Sequence, residues 1–343
     1  MRVVPLFMIA LSSVMLAACG DTTTEPSRVG APGPGAPDFA VTSNTWTTRR
    51  DLPYARWDLA VADAPNAAGQ SILYAIGGRT ATGAPLGRVQ AYNVATNTWT
   101  WKSDMPRPLS STNGAGVING KIYVSGGFYS KLWSAAGSIT GSLFVYDPAT
   151  NTWTQKRSMP QGGAWGVTGV INGKLYVVTT CIFADESTNW YSSCDQSNLY
   201  RYNPATDRWA TLPRPKGVYM YGIGGVLYDK LYVTDGKNTE VYDPVTNLWT
   251  SKRLGPQYRY EAAAAVVHAK LYVTGGRGIN AAGEWETWRT TSVYHPLTDT
   301  WTTAAPLPTA RSGIAATRVF LNGRPRLEVV GGGLPGNNLQ YIP

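Results

Sequence analysis

The stretch YDPATNTW, Tyr146 to Trp153, decides the fold, because the chain writes the same phrase repeatedly. It returns as YNVATNTW (Tyr92 to Trp99), YNPATDRW (Tyr202 to Trp209), YDPVTNLW (Tyr242 to Trp249) and YHPLTDTW (Tyr294 to Trp301). Self-similarity with a period of about 50 residues marks a repeat architecture and is read before any local propensity. A second phrase falls between the first: ILYAIGG to Gly78, KIYVSGG to Gly127, KLYVVTT to Thr180, KLYVTDG to Gly236, KLYVTGG to Gly276 and RLEVVGG to Gly332. Each unit therefore reads as a Pro-containing turn, a strand of small residues, a tight turn and an apolar strand ending in Gly-Gly. A loop, a strand ending in Tyr, another turn and a strand carrying Trp complete it. Four short strands joined by turns form one blade of a β-propeller.

The repeated tryptophans stand at 46, 99, 153, 209, 249 and 301, which sets six blades. The chain stops at Leu339-Gln340-Tyr341-Ile342-Pro343, which matches the start of the Tyr phrase and has no Trp strand after it. The missing piece lies at residues 41–46, VTSNTW. The N-terminal strand is thus predicted to complete the last blade, closing the ring and hiding its open sheet edges. The fold class is all-β, a six-bladed propeller. A large ring at one position of every blade fills the widening space between twisted neighbouring sheets, so these Tyr and Trp are read as core.

Composition agrees. Of 343 residues, 43% are hydrophobic and 15% are charged, with abundant Gly, Pro, Trp and Tyr. That balance suits a turn-dense β protein and excludes a disordered chain or a coiled coil.

The first residues stand apart. Met1-Arg2 is a short basic start, and residues 3–16 are apolar but too few to span a bilayer. The sequence Leu16-Ala17-Ala18-Cys19 resembles the lipobox of bacterial lipoproteins. That resemblance implies a signal peptide over 1–18, acylation of Cys19 and an envelope location, with the outer membrane favoured because Gly20 replaces the Asp of an inner-membrane retention signal. The alternative is an ordinary secretory signal with an incidental Cys. Residues 19–40, rich in Gly and Pro, read as a flexible tether. The propeller is then 41–343. In an exported protein the two remaining cysteines, Cys181 and Cys194, read as a disulfide.

Over residues 41–343 the pattern resembles the kelch repeat. The Gly-Gly pairs, the Tyr of each YDP-like turn and the Trp after it carry the resemblance, and two blades depart from it at Thr179-Thr180 and Asp235-Gly236. The resemblance implies a domain that binds partners on one face, often through Arg at strand starts.

Strand alternation sorts the connections onto two faces. One face has only short turns. The other carries the long loops 79–88, 128–141, 182–197 and 277–290, with Phe128, Tyr129, Trp133, Trp190, Tyr191, Trp285 and Trp288. Loops on a rigid scaffold carry function, and two or more of these rings are expected to be exposed. Counting back from the hairpin turns places Arg56, Tyr219, Arg259 and Arg311 at one level of the channel mouth. Trp57, Ser111, Ala164, Met220, Tyr260 and Ser312 come next, then Asp58, Thr112, Trp165, Tyr221, Glu261 and Gly313. Arg, carboxylates and aromatics together suit a sugar or an anionic ligand. The ligand-binding candidates are accordingly Arg56, Asp58, Trp165, Tyr219, Tyr221, Arg259, Glu261 and Arg311, with Glu261 and Arg259 as weak catalytic candidates.

The sequence lacks HExxH, GxSxG and GxxxxGK[ST] patterns. The copper-radical oxidases built on kelch propellers need His and Tyr ligands. Here His268 and His295 lie away from the mouth, so neither metal nor cofactor is expected. Sialic-acid mutarotases, also kelch propellers, offer an analogy for an enzyme at the mouth, but their motif does not map onto this chain. The net charge of +9 falls partly on outer strands, where Arg49-Arg50, Lys156-Arg157 and Lys252-Arg253 discourage edge pairing. Nucleic acid is not an expected partner. The reading is a monomeric binding module, attached to the membrane only through its lipid, whose partner is a protein or an envelope polysaccharide.

Overall fold

The protein is described from a computed structural model that covers residues 43–130, 139–180, 196–217, 219, 221–333 and 337–343. Cys19, the Cys181–Cys194 pair, Trp133, Trp190 and Tyr191 lie outside the described residues.

Each blade is a four-stranded antiparallel sheet. Blade 1 runs Ala60–Asp63, Ile72–Ile76, Val89–Asn93, Thr98–Lys102, and blade 2 runs Ala115–Ile118, Lys121–Ser125, Leu143–Asp147, Thr152–Lys156. Blade 3 is Val167–Ile171, Lys174–Thr179, Asn198–Asn203, Arg208–Leu212, and blade 4 is Ile223–Leu227, Lys230–Thr234, Thr239–Asp243, Leu248–Ser251. Blade 5 is Ala263–Val267, Lys270–Thr274, Thr291–His295, Thr300–Ala304, with an extra hairpin, Arg277–Ile279 and Trp285–Thr287, in its long loop. Blade 6 takes three strands from the C-terminus, Ile314–Leu321, Arg324–Gly331 and Asn338–Ile342, and its outermost strand, Thr45–Thr48, from the N-terminus. The first strands of successive blades touch one another in a closed circle around the channel.

The Tyr phrase explains how blades are sewn together. Its Asn or Asp (Asn44, Asn97, Asn151, Asp207, Asn247, Asp299) adopts φ between 49 and 59°, the left-handed region that these two residue types tolerate best among those with a side chain. In that pose the side-chain oxygen accepts the hydroxyl of the phrase's own Tyr at 2.5–2.7 Å in all six blades. In five of them it also accepts a backbone N–H from the connection leaving the preceding blade. The phrase's Trp packs on that Tyr at 4.9–5.3 Å and donates its indole N–H to a carbonyl of the same connection. Blade 6 rebuilds the phrase from both chain ends. Trp46 stands opposite Tyr341, as Trp99 stands opposite Tyr92.

A second set of rings fills the seams. Tyr74, Tyr123, Tyr176, Tyr232 and Tyr272 each meet the phrase Tyr of the next blade at 5.7–6.1 Å. At the sixth seam the equivalent residue is Glu328, fully buried, with Gln340 donating to its carboxyl at 2.9 Å. Burial pushes this carboxyl up to about 8. Arg49, just past the closing strand, reaches across the same seam to Tyr92 Oη (3.0 Å) and Val94 O (2.8 Å). Arg49 is therefore a seam residue, which corrects its expected role as a guard of the outer edge.

Candidate functional site

Six residues, one per blade, circle the channel mouth in the same left-handed backbone pose: Asp58 (φ 53°), Ser111 (50°), Trp165 (51°), Tyr221 (59°), Glu261 (55°) and Gly313 (64°). Such angles are costly for Trp, Tyr and Glu and persist only where surrounding structure over-determines them. Backbone hydrogen bonds link five of these positions in series. Asp58 N–H donates to Gly313 O, Gly313 to Glu261 O, Ser111 to Asp58 O and Trp165 to Ser111 O, all at 2.9–3.0 Å. Because all six blades share the pose, the backbone belongs to the architecture. The side chains it presents differ, so the chemistry belongs to this chain.

Ser111, not Thr112, occupies the ring in blade 2. That blade's segment between ring and hairpin turn is one residue longer than in blades 3 to 5, with Gly114 at φ 93° within it, so counting back from the turn falls out of step.

The side chains divide the mouth into two halves. Phe128, Trp165, Tyr221, Tyr260 and Trp285 form a chain of rings with centroids 4.6–5.6 Å apart across blades 2 to 5. Opposite them, Asp58 pairs with Arg79 at 2.5 Å, and Glu261 pairs with Arg277 at 2.9 Å and more loosely with Arg79 at 3.8 Å. Gly313, lying between blades 1 and 5 in the ring, has no side chain to block this bridge, and its Cα faces the Trp57 ring. Burial and then the Asp58 carboxylate raise the Glu261 carboxyl, while Arg277 and Arg79 pull it back. Burial opposes the charge on Arg79, but Asp58 outweighs it and the guanidinium is raised. Below the ring the channel holds a cavity of 190 Å³ lined by the ring and by small residues such as Ala60, Gly166 and Gly224. Two buried polar atoms in this lining, Trp165 Nε1 and Asn113 Oδ1, have no hydrogen-bond partner among the described residues.

The structure brings together Asp58, Trp165, Tyr221 and Glu261 as the sequence placed them. It does not put the arginines there. Arg56, Arg259 and Arg311 are 0%, 1% and 4% exposed, and Tyr219 is 1% exposed. Arg56 donates to the carbonyls of Tyr54 and Ala75 and to the Gln90 side chain. Arg259 donates to Gly275 O, to Thr290 O and Oγ1 and to Ser292 Oγ, beneath the Trp288 ring. Burial pulls both guanidinium groups down to about 10, so they stay charged at neutral pH while satisfying blade backbone. The Tyr219 hydroxyl donates to Glu240 at 2.8 Å. Arg56, Arg259 and Tyr219 fasten blades from within, and Arg311 is buried with them, because strand starts lie under the loops rather than beside the opening. Arg79 and Arg277 face the carboxylates instead. Both follow a Gly-Gly pair directly, Gly77-Gly78 and Gly275-Gly276, and that shared offset was the available signal.

The loop aromatics divide as well. Phe128 (4%) and Trp288 (8%) are core, whereas Tyr129 (44%) and Trp285 (63%) are exposed. Among the described residues no three His, Cys, Asp or Glu side chains gather as a metal site.

A ring of six four-stranded blades sewn by Tyr, Asn and Trp, with long loops on the mouth face, defines a kelch-type β-propeller. A sequence profile of the attractin/LZTR1 β-propeller family matches residues 38–241, more than half of the chain, and the chain belongs to that family. The kelch-like protein terF of Aspergillus terreus is 35% identical over 159 residues, 43% of this chain and 32% of that protein. Kelch-like protein 34 of Homo sapiens is 29% identical over 155 residues, 45% of this chain and 22% of that protein. The matches thus span a third or less of these relatives' length. The solved structure of YjhT superposes with a TM-score of 0.66 at 18% identity, covering 86% of this chain and 95% of that one, a likeness of fold.

Proposed function

We propose that the protein is a lipid-anchored, extracytoplasmic binding module that engages a protein or carbohydrate partner with its long-loop face. One observation carries this reading. The side chains at the mouth ring are packed down, with Asp58 and Glu261 side chains 6% and 5% exposed, while the rim around them exposes Tyr54, Trp101, Tyr129, Tyr258 and Trp285 at 36–63%. A closed mouth within an aromatic rim suits an extended partner.

The test is retention of partners from envelope extracts and glycan arrays by the full chain, compared with a Tyr129, Tyr258 and Trp285 triple-Ala variant. A Tyr228 and Phe320 double-Ala variant, altered on the short-turn face, serves as control. Loss in the first and not the second is expected, and the reverse pattern would overturn the reading. Palmitate labelling that disappears in Cys19→Ser would test the anchor.

A second reading is supported by the unpartnered Trp165 Nε1 and Asn113 Oδ1 together with the raised Glu261. They equip the mouth for a small polar ligand such as a sugar, with Glu261 as the proton-transfer group. Arg259 drops out of that role because it is buried and both its terminal nitrogens are engaged within blade 5. Turnover of mouth ligands that vanishes in Glu261→Gln would establish it.

A further inference from the structure

Among the described residues, each of the five exposed aromatic rings of the long-loop face has a cation over it. Arg88 lies against both Tyr54 (5.3 Å) and Trp101 (5.4 Å), Arg107 over Tyr129 (4.8 Å), Lys237 over Tyr258 (5.9 Å) and Arg277 over Trp285 (5.4 Å). Arg277 is engaged with Glu261. Arg88 and Arg107 differ. Among the described residues neither donates a side-chain hydrogen bond nor forms an ion pair, and both are exposed. The nearby carboxylate Asp104 pairs with neither.

Placement makes these two arginines a unit. Tyr54 lies in the connection entering blade 1, Arg88 precedes that blade's third strand, and Trp101 sits near the upper end of its fourth. Arg107 lies in the next connection, and Tyr129 follows the Gly126-Gly127 pair of blade 2. All five therefore lie on the long-loop face of blades 1 and 2. A guanidinium stacked between two rings is pre-oriented. It loses little freedom when its planar edge forks onto a carboxylate, and that edge is unused here.

We infer that the rim of blades 1 and 2 is a binding site for an acidic polysaccharide, with Arg88 and Arg107 taking its carboxylates and Tyr54, Trp101 and Tyr129 taking the C–H faces of its sugar rings. The inference rests on the reading that the long-loop face binds partners, and it narrows the contact to blades 1 and 2 of that face. A uronate polymer presents one carboxylate and one rigid apolar face per residue, which matches alternating cations and rings. An acidic peptide offers the charge without the rigid face and would leave three exposed rings uncovered. The net charge of +9 adds attraction at longer range.

The experiment measures binding of the full chain to polygalacturonate, to fully methyl-esterified polygalacturonate and to poly-glutamate at physiological salt. Wild type is compared with Arg88→Ala, Arg88→Lys, Trp101→Ala and Trp285→Ala, each checked for an unchanged melting temperature. The expected result is binding to polygalacturonate that weakens about tenfold in Arg88→Ala and Trp101→Ala and nearly as much in Arg88→Lys, which keeps the charge but not the stacked fork. Esterification should abolish it. The inference is overturned if polygalacturonate is not bound, if the ester binds as well, if poly-glutamate binds equally with the same sensitivity, or if the blade 1 variants bind like wild type. Loss in Trp285→Ala alone would overturn the rim site while leaving the long-loop face as the binding face.

Discussion

Two rings of residues encircle this propeller, and they repeat in opposite senses. The outer ring, the Tyr, Asn or Asp, and Trp of each phrase, keeps the same chemistry and the same hydrogen bonds in six blades. The inner ring keeps the same backbone angles in six blades but presents Asp, Ser, Trp, Tyr, Glu and Gly. Repetition of side chains marks a joint that every blade needs. Repetition of backbone with different side chains marks a platform on which one chain has placed its own chemistry.

Breaking a joint should cost most. Tyr146→Ala removes a fully buried ring that meets both Trp153 and Tyr74, and a loss of about 3–5 kcal/mol in denaturant-monitored stability is expected, as for other buried aromatics. A loss below 1 kcal/mol (on the order of a surface change) would break the comparison.

The sixth seam comes next, because Glu328 stands there in place of a Tyr. Its carboxyl is raised from an ordinary 4.5 to about 8, so the folded chain holds a proton that the unfolded chain releases. The stability tied to that proton is fully present below 4.5 and is lost as pH rises to about 8, at up to roughly 1.4 kcal/mol per pH unit. Glu328→Gln should flatten the melting temperature against pH across this window. An unchanged profile would show that Glu328 does not control the seam.

A smaller effect is expected at the inner ring. Asp58→Asn leaves Arg79 with only the looser Glu261 contact and should cost about 2 kcal/mol, short of a fully buried broken pair because Arg79 keeps 14% of its side-chain surface in water. It should also lower the Glu261 titration midpoint, since the Asp58 charge raises it, and NMR titration of the Glu261 carboxyl would show a midpoint that moves or stays. Least of all, Trp285→Ala should change stability by no more than about 0.5 kcal/mol, because the ring is 63% exposed, and should leave polygalacturonate binding unchanged.

The sequence by itself determined blade number, strand order and ring closure. All three are written in phrases whose Tyr, Asn and Trp act within a few residues of one another or on the adjacent blade, and a split phrase at the two termini can be matched by eye. It also carried the identities at Trp165, Tyr221 and Glu261, since a uniform count from the hairpin turn reaches them, and at Asp58, although the first hairpin of its blade is longer. Where the count is not uniform, as in blade 2 with its extra residue, it misplaced the ring. Only the tertiary structure decided which charges face the mouth. Arg56, Arg259 and Arg311 looked like ligands because they share a level with the opening, yet all three are buried, and Arg56 and Arg259 turn inward to blade carbonyls and hydroxyls that need donors. Arg79 and Arg277 lie 21 and 16 residues along the chain from the carboxylates they meet, across a strand and a Gly-Gly turn. Distance along a strand is legible in a repeat; the direction in which a long side chain leaves it is set by which neighbour offers the better partner, and that neighbour is known only after the ring has closed.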